Sequence, residues 1–129
     1  MLNKQEQIDQ LLKKTVSDNH ILAVYLFGST ARKENHPESD IDICLVLNTG
    51  SYQKLELSRI KLSYQKSTTL DIQVFQQLPM YIRKRVFKEG QLLYCRNEDQ
   101  LYNLAFQFIR EYADYEHIYR EYLNEVARG

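Results

Sequence analysis

Two aspartates one residue apart, Asp40 and Asp42, have the strongest claim to chemistry in this chain. They open the run Asp-Ile-Asp-Ile-Cys-Leu-Val-Leu-Asn over 40–48, whose first half alternates acidic and apolar residues. A strand has a side-chain period of two, so both carboxylates share one face, roughly 7 Å apart, while Ile41 and Ile43 take the other. Two anions held this close in a half-buried site repel each other. A cation between them removes that cost, and hard oxygen donors suit magnesium. An isolated Asp-x-Asp is more often a surface strand start, so the weight falls on what surrounds the pair.

Gly28-Ser29 closes the preceding apolar run, with ten residues between Ser29 and Asp40. Glycine after a strand lets the backbone approach an anion, and the following amides and the Ser29 hydroxyl can hold phosphate oxygens at a helix N-terminus. Arg32, one turn later, can add a charge-assisted contact to phosphate. A third carboxylate follows in Thr69-Leu70-Asp71-Ile72-Gln73-Val74. There Leu70, Ile72 and Val74 share one face and Asp71 and Gln73 the other, so pairing beside the 40–48 strand would bring Asp71 to the acidic face.

The elements that must position these groups read as follows. Residues 3–17 suit an amphipathic helix carrying Ile8, Leu11, Leu12 and Val16, and 20–27 a buried strand. Ser29 to Arg32 can begin a short helix, which Asn35-His36-Pro37 breaks. The 40–48 strand is followed by a helix over 51–66 with Leu55, Ile60 and Leu62 as anchors, then a strand over 69–76. Pro79 marks a helix start, Glu89-Gly90 a stop, 91–96 a short edge strand, and Glu98 to about Ala127 one long helix with room for a single break. This alternation gives an α/β (α+β) fold: a small mixed β-sheet with flanking helices and a long C-terminal helix.

At 129 residues the chain fits one domain, and 43% hydrophobic with 26% charged residues is a globular composition. Lys plus Arg equals Asp plus Glu, so the basic excess of a protein that grips nucleic acid is missing and no direct nucleic-acid partner is expected. Cys44 and Cys95 sit in apolar runs without zinc spacing and read as buried reduced thiols. His20, His36 and His117 are too scattered for a metal or a triad. No apolar run approaches the ~20 residues of a membrane span, and the polar N-terminus is not a signal peptide, so a cytoplasmic protein is expected.

Gly28-Ser29-Thr30-Ala31-Arg32 followed by Ser39-Asp40-Ile41-Asp42 resembles the signature of the nucleotidyltransferase superfamily with the DNA polymerase β-type palm. The short length resembles its minimal nucleotidyltransferase branch; Lys33 stands where many relatives carry glycine. The resemblance covers roughly residues 3–96, leaving a helical extension over about 97–127. It implies that Asp40 and Asp42 bind two Mg2+ ions, that Asp71 completes the metal site and helps deprotonate the acceptor hydroxyl, and that Gly28, Ser29 and Arg32 hold the nucleotide, with ATP as the donor. The stretch from Pro79 through Glu89-Gly90 to Leu93-Tyr94 further resembles the antitoxin members of the minimal branch, which are paired with a HEPN-domain ribonuclease toxin. That implies transfer of AMP to a tyrosine of the toxin, silencing it. Transfer to a small-molecule hydroxyl, as in antibiotic nucleotidyltransferases, and toxin binding without chemistry are the competing readings.

The C-terminal helix bears on the acceptor. Ala105, Phe108, Tyr112, Tyr115, Tyr119, Tyr122 and Val126 recur at alternating spacings of three and four, an a/d seam. The segment from Leu101 to Ile109 suits packing on the sheet; beyond Tyr112 the seam is mainly tyrosine, which suits interfaces. The helix can cover its own sheet, meet a partner or self-associate as a homodimer. Arg83, Lys84, Arg85 and Lys88 form either a solvated helix face or a contact for an acidic surface or phosphates.

Overall fold

A computed structural model describes residues 2–28 and 42–128. The elements run α1 (Lys4–Val16), β1 (Ile21–Phe27), β2 (Asp42–Leu47), α2 (Lys54–Gln65), β3 (Asp71–Val74), a 3-10 turn (Phe75–Gln77), α3 (Met80–Glu89), β4 (Gln91–Cys95) and α4 (Glu98–Arg128). The strands form one mixed sheet in the order β3-β2-β1-β4, with β2 and β3 parallel and both neighbours of β1 antiparallel. The expected α+β fold is the one observed, including the edge position of β4 and the helix stop at Gly90.

The sheet is covered on both faces. Ile43, Leu45, Leu47, Ile72 and Val74 pack beneath α1 and α2. Cys44, Val46, Tyr25 and Phe75 pack beneath α3 and α4. This two-sided burial explains why β1 and β2 are apolar almost throughout, whereas edge strand β3 alternates. In β1 the pairing register shifts between Ile21 and Ala23, and the adjacent residues Leu22 and Ala23 both join the α3/α4 side of the core. A bulge of this kind lets a strand change facing partway along.

Two anchor assignments are corrected. In α1 Val16 is exposed and Thr15 is buried in its place, its hydroxyl donating to the Leu12 carbonyl. In α2 Leu55 and Leu62 are exposed, and Leu57 and Tyr64, with Ile60 partly buried, face the sheet. The leucine spacing of α2 fits either face, and Tyr64, a larger side chain than any leucine, decides the rotation. The possible break in the C-terminal helix does not occur: α4 runs unbroken for 31 residues. Cys44 is buried, and burial pushes its thiol pKa up; Cys95 is only half-buried, and both thiols are free.

Side-chain amides finish what the short strands leave open. Gln65 donates to the Leu70 carbonyl at 2.6 Å and accepts from the Ile72 amide at 3.0 Å, satisfying backbone groups of edge strand β3. Gln76 pairs the same way with both backbone groups of Leu47, beyond the end of β3. Arg96 donates to the carbonyls of Thr15, Val16, Asp18 and Ile21, tying the C-terminus of α1 to the start of β1 and placing a cation at the helix's negative end.

At the same end of the sheet, Asp18 accepts from the Tyr64 hydroxyl at 2.7 Å and from the His20 amide at 3.0 Å. Burial pushes the Asp18 pKa up, but these hydrogen bonds outweigh it and the carboxyl titrates below its usual range. Ionised Asp18 therefore stabilises the fold above the unfolded carboxyl value of about 4, and the contribution is lost as the pH falls through the lower folded value. Tyr64→Phe should cost about 1 kcal/mol at pH 7 and make stability fall less steeply in acid. Urea unfolding of both chains at neutral pH and near pH 3 checks this.

Candidate active site

The opposite end of the sheet brings together two of the three expected acidic residues, Asp42 and Asp71. Gly28 follows β1 with φ +91°, a left-handed conformation that glycine adopts without strain. Phe27 is register partner to Asp42 across β1 and β2, and this brings the Asp42 side chain over Gly28. A Cβ on Gly28 would lie 2.2 Å from Asp42 Oδ2, so the bare α-carbon is the space the carboxylate occupies. The sequence suggests glycine here for the approach of a phosphate; the first anion lodged against it is Asp42.

Asp71 is the register partner of Asp42 in the parallel β2–β3 pair. Neighbouring strands lie about 4.8 Å apart, and register partners project to the same face. Ile43 and Ile72, the next pair, turn the other way and are fully buried under α1 and α2. Asp42 and Asp71 are half-buried, at the mouth of a face that continues inward through Cys44 and Val46 into apolar core. Gln73, two residues along, donates from its side-chain amide to Asp71 Oδ1 at 3.1 Å and orients that carboxylate. Sequence reasoning puts Gln73 on this face without giving it a task; the Asp-x-Gln alternation is the signal.

Of the predicted site residues, the structure thus brings together Gly28, Asp42 and Asp71. Ser29, Arg32 and Asp40 lie outside the described residues, as do the short helix expected from Ser29, its Asn35-His36-Pro37 break, Lys33 and His36. Among the described residues no cluster holds three metal-ligating side chains. The pair that is described fits a hard divalent cation: two carboxylates side by side, half-exposed so that a bound ion can keep part of its water. Asp42 and Asp71 are the residues that would hold it.

The basic cluster divides among separate tasks. Arg83 donates to the carbonyls of Leu78 and Gln76 and stacks on the Phe75 ring, Lys84 sits 4.6 Å from the centre of the Tyr112 ring, and Arg85 pairs with Glu89. Arg83 and Lys84 are thus committed to joining α3 to its neighbours. His20 contacts Asp18, and His117 contacts Glu121 on an exposed stretch of α4.

Paired carboxylates at the mouth of one sheet face, beside a glycine turn, are compatible with nucleotidyl transfer, and the family is shown by comparison with known proteins. The model of the family "Polymerase beta, Nucleotidyltransferase" matches residues 6–99, and the chain belongs to that family. It is 30% identical over 102 residues to the "Putative protein adenylyltransferase MJ1547" of Methanocaldococcus jannaschii, covering 78% of this chain and 77% of that protein. The fold is similar to that of a chain in a toxin–antitoxin crystal structure with AMP-PNP, with a TM-score of 0.68 at 19% identity over 96% of this chain and 98% of that one. It is also similar to a chain in a structure of the tri-AMPylated HEPN toxin of Shewanella oneidensis in complex with MNT antitoxin, with a TM-score of 0.63 at 16% identity over 95% and 94% of the two chains. No helix among the described residues is long and apolar enough to cross a membrane.

Two substitutions test the site. Asp42→Asn should lower nucleotidyl transfer at least about a hundredfold while leaving the melting temperature nearly unchanged, because it removes a charge that would hold an ion and keeps the shape of the side chain. Gly28→Ala should lower both, costing about 1–2 kcal/mol for its left-handed backbone and displacing the Asp42 carboxylate. Thermal melts and turnover of labelled nucleotide, run side by side, separate the two effects.

Proposed function

We propose that this chain is a magnesium-dependent adenylyltransferase antitoxin that moves AMP from ATP to a tyrosine hydroxyl of a partner HEPN ribonuclease and so inactivates it. The observation that carries the reading is the Asp42–Asp71 register pair beside the left-handed Gly28, in a chain of the nucleotidyltransferase family. The named adenylyltransferase relative supports AMP as the transferred group. Likeness over nearly the whole length to chains from toxin–antitoxin structures, one with AMP-PNP and one with an AMPylated HEPN toxin, supports the nucleotide and the partner.

In this reading Asp40, Asp42 and Asp71 hold magnesium, and the bound metal supplies positive charge to the triphosphate and to the attacking oxygen. The amides after Gly28, the Ser29 hydroxyl and Arg32 hold the phosphates. Asp71, fixed by Gln73, takes the proton from the acceptor hydroxyl. The new bond joins the acceptor oxygen to the α-phosphorus, the bond to the β-phosphate breaks, and pyrophosphate leaves. The half-exposed carboxylates suit an acceptor delivered on the surface of another protein.

The test is to mix the purified chain with magnesium, ATP labelled at the α-phosphate and a candidate HEPN ribonuclease. The ribonuclease should gain the mass of AMP on tyrosine and lose RNA cleavage, and the Asp42→Asn chain should do neither. Labelling of a free aminoglycoside with no protein acceptor would select the small-molecule reading. Full neutralisation of the ribonuclease by Asp42→Asn would select binding without chemistry.

A further inference from the structure

The buried face of α4 does not end where the sheet ends. Leu101 and Phe108 are buried, and Phe108 packs on Phe75 and Phe87. The aromatic row then continues outward through Tyr112, Tyr115 and Tyr119, each ring about 6 Å from the last. Tyr112 is held by Lys84; past it nothing in the described chain lies under the row. Tyr115, Tyr119, Tyr122 and Val126 are 47%, 50%, 60% and 59% exposed, on the same side of the helix as the buried anchors. Residues 113–128 thus form an overhang about 24 Å long at 1.5 Å per residue. With Ile118 and Leu123 beside the row, six half-exposed side chains offer on the order of 600 Å2, close to one side of a standard protein interface.

Charge decides what covers this ridge. One flank carries Glu111, Asp114, Glu121 and Glu125 against a single cation, Arg128, at the end of the helix. Among the described residues no cation pairs with Glu111, Asp114 or Glu125; Glu121 meets only His117, and Glu111 accepts from Gln107. On the other flank Glu116 is already paired with Arg120 at 2.7 Å. In an antiparallel pair of these helices the acidic flanks would face each other, setting Glu111 against Glu125 of the second copy. In a parallel pair Glu111 would face Glu116 of the second copy. Self-association along the seam therefore places like charges together in either direction, and like charges across an interface disfavour the pairing.

We infer that the α4 overhang docks into an apolar groove between helices of a different protein, rimmed by lysine or arginine along the Glu111–Glu125 flank, and not onto a second copy of this chain. The inference extends the proposed function to the surface that would hold the acceptor protein, but it rests on α4 alone, and its failure leaves nucleotidyl transfer untouched.

The test uses two designed helical hairpins with the same apolar groove, one rimmed by lysine and one by glutamate. The full chain should bind the lysine-rimmed hairpin at least about tenfold more tightly, with a preference that shrinks as salt rises. A chain carrying Glu111→Lys, Asp114→Lys and Glu125→Lys, checked for native helicity by circular dichroism, should reverse the preference. Equal binding of the two hairpins, or no binding of either at about 100 µM, overturns the inference. So does sedimentation showing a dimer that Tyr119→Ser with Tyr122→Ser abolishes. Turnover of labelled nucleotide by the same preparations stays independent of all these outcomes and reports on the transferase reading separately.

Discussion

The parallel pairing of β2 with β3 sets Asp42 beside Asp71, and much of the fold follows from holding those two carboxylates together. Two like charges on neighbouring strands in a half-buried setting push the strands apart, so the opposing attraction must come from elsewhere in the same pair. It comes from the next rung, Ile43 with Ile72, and from Leu45 with Val74, all fully buried on the other face. Parallel neighbours also need a crossover, and α2 supplies it while covering that apolar face with Leu57 and Tyr64. The acidic end is thus held by burial one residue away, while the carboxylates themselves stay half-exposed.

A four-residue β3 at the sheet edge would be a weak support without its amide partners. Gln65 satisfies backbone groups on that edge, and Gln76 carries the pairing of β2 past the point where β3 ends. At the far end Arg96 ties α1 to β1 with four carbonyl contacts, and the Asp18–Tyr64 bond ties the same loop to α2. The sheet is thus clamped at the end remote from Gly28 by Arg96 and Asp18, and at the acidic end by Gln65 on either side of Asp71.

What could be read from the sequence divides along physical lines. Strand positions were readable because apolar runs and period-two alternation are local, and Asp71 could be placed on the acidic face from Leu70, Ile72 and Val74 alone. The helix faces were less so. Leu55 and Leu62 look like anchors by hydrophobicity, yet the rotation of α2 is set by Tyr64, whose hydroxyl finds Asp18 46 residues away in sequence. The tasks of Gln65, Gln76, Gln73 and Arg96 were equally hidden, since each depends on a carbonyl, amide or carboxylate that another part of the backbone brings within reach. Gly28 was readable as a special backbone position; that its missing Cβ makes room for Asp42 needed the β1–β2 register.

Net charge was the least informative quantity in the sequence. Seventeen acidic and seventeen basic residues sum to zero, but they are not mixed evenly. Arg83, Lys84 and Arg96 are held in place by carbonyl and ring contacts on the body of the domain, away from the acidic flank of α4. The acids of α4 have no such internal use on their flank, so the outward-facing balance there is negative although the total is nil. A ridge that is apolar along its crest and acidic on one side repels its own copy and suits a basic groove. For a protein whose half-exposed carboxylates would have to admit another protein's hydroxyl, such a surface would separate holding the partner, on the overhang of α4, from reacting with it, at the Asp42–Asp71 pair.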